Sequence, residues 1–124
     1  MRKAVMMMAL VGLFTLVAVG VAVAVTKTCT TVPCKGTSSA DFLKERVGNT
    51  KRDVIYGFQQ NDRLRADRYT RDTDDLYGGL GNDRVNVLDG DFRDWADGGP
   101  GNDDFCWVDD ESELSPTCEG YAIP

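Results

Sequence analysis

Residues 78–86 read GGLGNDRVN, and residues 98–106 read GGPGNDDFC. In each stretch three glycines and an aspartate fall within six residues, and an apolar residue follows two places after the aspartate. Gly, Asn and Asp tolerate the positive φ angles of tight turns. In a strand, the middle one of three side chains points to the opposite side from its neighbours. Each stretch therefore predicts a tight turn that leads into a short strand with one inward-facing apolar side chain.

The unit of an aspartate followed two places later by an apolar residue recurs along the chain. Successive aspartates are 12, 9, 12, 9, 11 and 9 residues apart. These aspartates are Asp41, Asp53, Asp62, Asp74, Asp83, Asp94 and Asp103. The apolar residues are Leu43, Ile55, Leu64, Leu76, Val85, Ala96 and Phe105. A nonapeptide period of this kind is typical of a short-coil parallel β-solenoid.

The residues added between the nine-residue units indicate how the coils are built. The additions fall at 45–47, 66–68 and 87–88, and they follow only odd-numbered units. If two units make one coil, odd strands stack in one sheet, even strands stack in another, and the additions line up along one edge. The pattern predicts an all-β fold, a short right-handed parallel β-roll of about three and a half coils over residues 36–106.

The two glycine-rich stretches resemble the G-G-x-G-x-D-x-U-x nonapeptide of the hemolysin-type, or RTX, calcium-binding β-roll. The resemblance implies that calcium lies between like turns of neighbouring coils, held by backbone carbonyls and aspartate carboxylates. Calcium accepts six to eight oxygen ligands with flexible geometry, so this ligand set suits it. The main site implied joins two successive odd turns: Gly79, Gly81 and Asp83 with Gly99, Gly101 and Asp103.

The resemblance implies further calcium sites at turns that match the glycine-rich nonapeptide less well. Asp62 would pair with Asp83 in a weaker site, because Phe58 and Gln60 replace glycines in its turn. On the even row Asp74 and Asp94 would share an ion, and Asp72 would add its own carboxylate. The alternative role for such aspartates is the capping of turns, which applies most to Asp41 and Asp53.

An EF-hand loop is disfavoured as the source of calcium binding. The segment Asp89-Gly90-Asp91 opens like such a loop, but its sixth position lacks glycine and its twelfth lacks glutamate. Glycine-rich phosphate loops are disfavoured as well, since no P-loop lysine follows the glycines.

The first 25 residues differ from the rest. Arg2 and Lys3 precede an uncharged, mostly apolar run from Ala4 to Val25, with an Ala-Val-Ala step near its end. These features predict a secretory signal peptide cleaved near Ala24. The run of about 22 residues is also long enough to span a bilayer as a helix, so a retained anchor at residues 1–25 stays open. Either outcome predicts export to the outside of the cell or to the outer face of its membrane.

Charge and composition exclude several function classes. Without Arg2 and Lys3, 12 basic residues stand against 20 acidic ones, a net charge of −8. This balance disfavours nucleic acid and anionic membrane surfaces as partners, so any membrane contact would run through the N-terminal segment. The chain has no histidine, and no pattern assembles a nucleophile with a base. We therefore expect a non-enzymatic, structural calcium-binding protein that folds when calcium binds.

Four cysteines lie beyond the predicted signal. They allow three pairings, and an even number outside the cytosol favours two disulfides. We expect Cys29 to pair with Cys34 and Cys106 with Cys118, because each pair is close in sequence and flanks one end of the repeats. The expected organisation is a signal or anchor at 1–25, an N-terminal cap at 26–35, the roll at 36–106 and a C-terminal cap at 107–124.

The outward-facing positions of the two rows differ in chemistry. The odd row carries Lys44, Arg63, Arg65 and Arg84, and the even row carries Val54, Tyr56, Tyr77 and Trp95. Tyr56 and Tyr77 share one position of the unit, so we expect them to stack and stabilise the sheet. Exposed aromatic residues are also enriched at interfaces. The alternative function is therefore an accessory adhesion module whose aromatic face binds a cell-surface glycan or protein.

Overall fold

The computed structural model describes residues 23–124, which form two parallel β-sheets. The first sheet contains β1 (Thr26–Cys29), β3 (Phe42–Glu45), β5 (Arg63–Arg65), β7 (Arg84–Asn86), β9 (Phe105–Trp107) and β10 (Gly120–Ala122). The second contains β2 (Cys34–Lys35), β4 (Val54–Gln59), β6 (Asp75–Leu80) and β8 (Trp95–Asp97). Strands β1 to β9 alternate between the sheets, so the chain winds into a parallel solenoid of about 4 turns.

The predicted separation of odd and even units is confirmed. Strands of odd units all lie in the first sheet and strands of even units in the second. The chain passes from the second sheet to the first at 57–62, 78–83 and 98–104, and we call this side the Gly-turn edge. The first residues of the turns at 57–62 and 78–83 are still paired as the ends of β4 and β6. The longer connections at 46–53, 66–74 and 87–94 lead back, and we call their side the long-loop edge. The three additions that the spacing indicated therefore lie on the long-loop edge, while the turn at 98–104 is one residue longer than the other two on the Gly-turn edge.

The core consists of the inward-facing side chains of both sheets, stacked coil upon coil. These are Leu43, Leu64, Val85 and Cys106 in the first sheet and Ile55, Leu76 and Ala96 in the second, each at most 1% exposed. Burying such a Leu, Ile or Val side chain contributes about 1.5–3 kcal/mol. The prediction that Phe105 faces inward is wrong. Val85 pairs with Cys106, and Phe105 lies half-buried on the outer face beside Arg84.

Two disulfides form near the two ends of the roll, with the predicted pairing. Cys29–Cys34 links β1 to β2, and Cys106–Cys118 links β9 to the C-terminal segment. That segment packs fully buried Val108 against the core and adds β10 to the edge of the first sheet. A 3-10 turn at Glu111–Glu113 begins at Asp110, whose side chain accepts a hydrogen bond from the Ser112 amide.

The predicted stacking of tyrosines on the second sheet is confirmed. Tyr56 and Tyr77 are direct register partners, and their ring centroids lie 5.0 Å apart with the ring planes inclined by 15°. The apolar helix predicted for residues 1–25, whether signal or anchor, lies outside the described residues except for residues 23–25. Between residues 23 and 124 no helix has both the length and the apolar character needed to span a bilayer.

Candidate metal centre

On the Gly-turn edge the repeat aspartates form a ladder of hydrogen bonds. The amide of each aspartate donates to Oδ1 of the aspartate one coil later: Asp41 to Asp62 at 2.7 Å, Asp62 to Asp83 at 2.7 Å and Asp83 to Asp104 at 2.6 Å. We call these four residues the Gly-turn ladder. Because a carboxylate from each coil holds the backbone of the preceding coil, the turns stack in register.

The long-loop edge carries a second ladder, made of Asp53, Asp74 and Asp94. The Asp53 amide donates to Oδ1 of Asp74, and the Asp74 amide donates to Oδ1 of Asp94, both at 2.8 Å. The C-terminal segment completes both ladders with glutamates. Glu113 accepts from the Asp94 amide at 3.1 Å, and Glu119 accepts from the Asp104 amide at 2.8 Å. Sequence reasoning missed both glutamates, since the C-terminal segment has no repeat that would mark them.

The second carboxylate oxygen of five ladder residues is buried and lacks a conventional donor. No backbone amide, side-chain N–H or alcohol hydroxyl from the described part of the chain donates to Oδ2 of Asp62, Asp74, Asp83, Asp94 or Asp104, although the Asp74 carboxyl shares a hydrogen bond with the Glu45 carboxyl. A buried carboxylate oxygen left in this way is costly unless a cation compensates its charge. The chain has no histidine and its cysteines are held in disulfides, so the ligands available are oxygens, which suits calcium rather than zinc.

The first aspartate of each ladder is different, because its own turn supplies donors. The Thr37 amide and hydroxyl both donate to Oδ2 of Asp41. The Asn49 side-chain amide donates to Oδ2 of Asp53 at 2.7 Å. These two carboxylates therefore act as turn caps, and the oxygens that lack donors begin one coil later.

Glycine at the first position of the turn is required by close approach. A Cβ on Gly78 would overlap Oδ2 of Asp83 and would lie 2.6 Å from the Gly98 carbonyl oxygen of the next coil. A Cβ on Gly57 would overlap Oδ2 of Asp62 in the same way. The turn thus brings a carboxylate oxygen of one coil close to a backbone carbonyl of the next, which is the donor set that the RTX resemblance implies.

The turn at 57–62 keeps this geometry without the usual glycines. Phe58 and Gln60 adopt φ angles of 89° and 70°, matching the positive φ of Gly79 and Gly81 one coil later. Side chains with a Cβ occupy this region at a cost of about 1–3 kcal/mol each. The stacking of the coils therefore imposes the turn on residues that do not favour it.

The structure places the predicted residues of the main site differently at one position. Gly99 lies against the Gly79 carbonyl and Gly101 against the Gly81 carbonyl, so the two glycine turns are neighbours as expected. Asp103, however, is an added residue of the last turn, and its side chain is 74% exposed. Asp104 takes its place opposite Asp83. The expectation that Asp83 faces Asp103 is therefore wrong, and a constant step of 21 residues from Asp41 onward would have indicated Asp104.

A group of three buried carboxylates lies inside the long-loop edge, where sequence reasoning expected only Asp74. Glu45, Asp53 and Asp74 each offer an oxygen, and these oxygens lie within 4.8 Å of one another. Glu45 is the last residue of β3, and its side chain points into the roll. The register of β3 and β5 places buried Ala66 at the corresponding position of the next coil. Oε2 of Glu45 accepts a 2.6 Å hydrogen bond from the Asp67 amide, and Oε1 is buried without an amide or alcohol hydroxyl donor from residues 23–124.

A second group of acids, Asp89, Asp91 and Asp94, lies further along the same edge, again with oxygens within 4.8 Å. The Asp91 amide donates to Oδ1 of Asp89 at 2.8 Å. Arg93 donates to Oδ2 of Asp91 at 2.6 Å and partly neutralises this group. The segment 89–91, which does not satisfy the EF-hand pattern, thus places the carboxylates of Asp89 and Asp91 beside Asp94 of the long-loop ladder. The carboxylate of Asp72 lies close enough to both groups that Asp53 and Asp91 affect its titration.

Burial of these acids makes them bind protons more tightly than they do in water. It raises the pKa of Asp62 and of Asp74 to about 7, of Asp83 to about 6 and of Asp94 to about 8. Burial, with the Asp74 carboxylate beside it, raises the pKa of Glu45 to about 9. Burial also raises the pKa of Asp72, Asp89 and Asp104. Each edge therefore buries a row of carboxyl groups, and a bound divalent cation would balance the negative charge that they carry when ionised.

Comparison with protein families agrees with this geometry. The family model of the RTX calcium-binding nonapeptide repeat matches residues 47–68 and 70–85, with four copies of the repeat. Between residues 47 and 85 the chain therefore carries repeats that match the hemolysin-type RTX calcium-binding family. RTX repeats bind calcium, and these β-rolls are typically structural rather than catalytic. No match was found among curated proteins or among solved structures.

Proposed function

We propose that this RTX protein is an exported structural protein whose two aspartate ladders hold calcium ions between the coils and so complete its fold. The observation that carries the proposal is the row of ladder oxygens, one per coil on each edge after the first aspartate of each ladder, that are buried without an amide or alcohol hydroxyl donor in residues 23–124. On the Gly-turn edge, Asp62, Asp83 and Asp104 would each share an ion with backbone carbonyls. On the long-loop edge, Asp74 and Asp94 would do so with additional carboxylates.

Calcium would stabilise the folded form because only the folded form brings these oxygens together. The unfolded chain scatters the carboxylates, so the free energy of binding adds to the free energy of folding. Without a cation, the folded chain must either keep like charges close together or hold protons on them. We therefore expect the roll to be much less stable, with a weaker β-sheet signal, in a chelator than in calcium.

A calcium titration of residues 23–124 tests this proposal. Far-UV circular dichroism in a chelator and in millimolar calcium should differ, with the β-sheet signal increasing as calcium is added. Calorimetry should give a stoichiometry above one ion per chain. Magnesium is the matched control, because it demands tight octahedral geometry and gives up its water reluctantly. Identical spectra with and without calcium, together with no heat of binding, would refute the proposal.

Export is the second part of the proposal. It is supported by the charged start and apolar run of residues 1–25, by the two disulfides, and by the fact that RTX repeat proteins are typically secreted. Mass spectrometry of the protein from the culture medium and from membranes distinguishes cleavage near Ala24 from a retained anchor. Intact protein confined to the cytosol, with free thiols, would contradict export.

A second candidate function is an accessory interaction module that uses the aromatic face of the second sheet. Tyr56 stacks on Tyr77 and also lies beside Phe58, with 6.1 Å between those ring centroids, and Phe58 is 44% exposed. Such a row offers a surface to a glycan or protein partner. The double variant Tyr56→Ala, Trp95→Ala should lose adhesion to the producing cell's surface while it keeps its calcium-dependent fold. Unchanged adhesion would eliminate this candidate.

A further inference from the structure

We infer that the outer face of the first sheet binds a linear acidic polysaccharide. The inference concerns the sheet opposite the aromatic face and does not depend on which residues hold calcium. It starts from four cations, Lys44, Arg63, Arg65 and Arg84, that stand together on an otherwise acidic protein of net charge −6. We call these four residues the basic face.

The register of the sheet brings these like charges side by side. Arg63 and Arg84 are direct register partners, and so are Lys44 and Arg65. Neighbouring strands are about 4.8 Å apart, so each cation stands directly beside another. Like charges in such positions destabilise a sheet. A structural role alone does not account for them, because uncharged side chains would serve the sheet better.

The basic face is also poorly neutralised from within the chain. Within residues 23–124 the side chains of Lys44, Arg63 and Arg65 form no ion pair. Arg84 alone is engaged: it donates to the Asp103 carbonyl at 3.1 Å and lies 4.0 Å from the Asp103 carboxylate. The second sheet differs, since its outer positions include Asp75 and Asp97. Charge complementarity therefore points to an anion bound on the first sheet.

The arrangement of the cations favours a polymer over a single small anion. They form two short columns along the axis of the roll, Lys44 with Arg65 and Arg63 with Arg84, at the strand spacing of about 4.8 Å. An extended sugar chain with one acid group per residue presents its charges at a comparable spacing. A shallow depression of about 260 Å³ follows the same line, and its lining includes Arg63, Arg65, Arg84 and Trp107. Phe42 on β3 and Trp107 on β9 flank the cations, about 14 Å apart across three strand steps.

Two other polyanions fit this face less well. Single-stranded nucleic acid needs free aromatic rings on which bases stack. Here the Phe105 ring is covered on one side by Arg84, 5.9 Å from its centroid, and packs against Trp107 at 4.6 Å. An anionic membrane would be bound best by a face with exposed apolar side chains that enter the lipid, whereas Phe42, Phe105 and Trp107 are half-buried. Arg side chains pair well with the carboxylates of uronic acid sugars, in a bidentate geometry.

The test measures binding of a galacturonic acid hexamer to the protein in millimolar calcium, with maltohexaose as the uncharged probe. We expect the acidic hexamer to bind and the neutral one not to bind. The double variant Arg63→Gln, Arg65→Gln should lose about tenfold or more in affinity, because it removes two charge-assisted contacts. The matched control Lys35→Gln, Lys51→Gln changes the net charge equally but lies away from this face, and its affinity should change by less than about twofold.

Several outcomes would overturn the inference. They are no binding of the acidic hexamer by the unmodified protein, equal losses in the two double variants, and tighter binding of a DNA hexamer or of phosphatidylserine vesicles. Circular dichroism in calcium checks that each variant folds. If Arg63→Gln, Arg65→Gln proves unfolded, Lys44→Gln serves instead and should weaken binding about threefold or more, since it removes one of the same contacts. An unchanged affinity in Lys44→Gln would then count against the basic face.

Discussion

The backbone amide of Asp83 donates a hydrogen bond to Oδ1 of Asp104, with nitrogen and oxygen 2.6 Å apart. Asp104 is fully buried, while the side chain of its neighbour Asp103 is 74% exposed. Two adjacent acids thus have opposite environments, and only one of them belongs to the Gly-turn ladder. This difference makes the pair a sharp probe of where calcium binds.

We predict that Asp104→Asn weakens calcium binding and that Asp103→Asn does not. An amide retains the Oδ1 acceptor for the Asp83 amide but removes the negative charge that a cation would meet. Calcium affinity should fall about tenfold or more, which corresponds to about 1.4 kcal/mol. Stability in a chelator should stay the same or rise, because a buried charge is lost. Asp103→Asn should change the free energy of unfolding by no more than about 0.5 kcal/mol.

Calorimetric titration of both variants, with denaturant unfolding in chelator and in calcium, measures these effects. Equal losses of calcium affinity in the two variants would mean that Asp103 also reaches the ion. A loss in Asp103→Asn alone would show that the ladder register of the last coil is incorrect.

We expect pH to have opposite effects on the stability of the calcium-free roll and on calcium affinity. Ladder carboxyls with pKa values raised from 3.8 to about 6–8 hold more protons in the folded form than in the unfolded chain. Between pH about 4 and about 8, the free energy of unfolding without calcium therefore falls as the pH rises. Calcium affinity rises over the same range, because calcium must displace these protons.

Thermal unfolding in a chelator at pH about 5 and about 8 tests the first part of this prediction, and calcium titrations at the same pH values test the second. Calcium binding at pH 7 should release protons, seen as a dependence of the binding heat on the ionisation enthalpy of the buffer. A calcium-free roll that is more stable at pH 8 than at pH 5 would show that the ladder acids are not protonated when the chain folds.

The alternation of the coils could be predicted because it has a local cause. Residues are added to the repeat only after odd units, and inward-facing residues such as Leu64 and Leu76 recur at a fixed distance from their aspartates. Strand length, inward side chain and turn are all set within nine residues. A periodic sequence therefore indicates sheet membership and core positions without knowledge of long-range contacts.

The features that could not be predicted depend on contacts between distant residues. The nonapeptide alone selects Asp103, and the choice of Asp104 becomes clear only from the 21-residue step between coils and from Cys106, which faces inward and reaches Cys118. Glu45 follows an inward-facing leucine by two places, so alternation alone points it into the core. The reason that a charged side chain is buried there, namely a three-carboxylate group that could hold a metal ion, involves Asp53 and Asp74 from later parts of the chain.

We predict that Gln60→Gly stabilises the roll and that Gln59→Gly destabilises it. Gln60 has a φ angle of 70°, which favours glycine, so the substitution should raise the free energy of unfolding by about 1 kcal/mol. Gln59 ends β4 opposite Leu80 and is absent from the positive-φ positions of the described residues. Glycine there should lower the free energy of unfolding by about 0.5–1 kcal/mol.

Denaturant unfolding in saturating calcium compares the two glutamine variants. Because both lose the same side chain, their difference isolates the backbone effect at Gln60. If both variants are destabilised equally, the turn at 57–62 does not hold Gln60 in the left-handed region in solution.

We predict that Glu45→Gln and Glu113→Gln separate a metal ligand from a structural carboxylate. Both side chains are buried, at 3% and 0% exposure. Burial and the neighbouring Asp74 carboxylate raise the pKa of Glu45 well above its usual range, which favours the protonated form. Glutamine should therefore leave stability in a chelator within about 0.5 kcal/mol, while calcium affinity at the Glu45, Asp53 and Asp74 group falls about tenfold or more.

Glu113 accepts amide hydrogen bonds on both oxygens, from Asp94 on one and from Asp109 and Asp110 on the other. An amide nitrogen there would face an amide donor, so Glu113→Gln should cost about 1–3 kcal/mol in chelator and in calcium alike. Unfolding curves in both conditions, with calorimetric counting of bound ions, distinguish the two roles. Glu45→Gln should also reduce the protons released on calcium binding at pH 7. If it leaves both the ion count and the proton release unchanged, Glu45 is a buried acid that calcium does not reach.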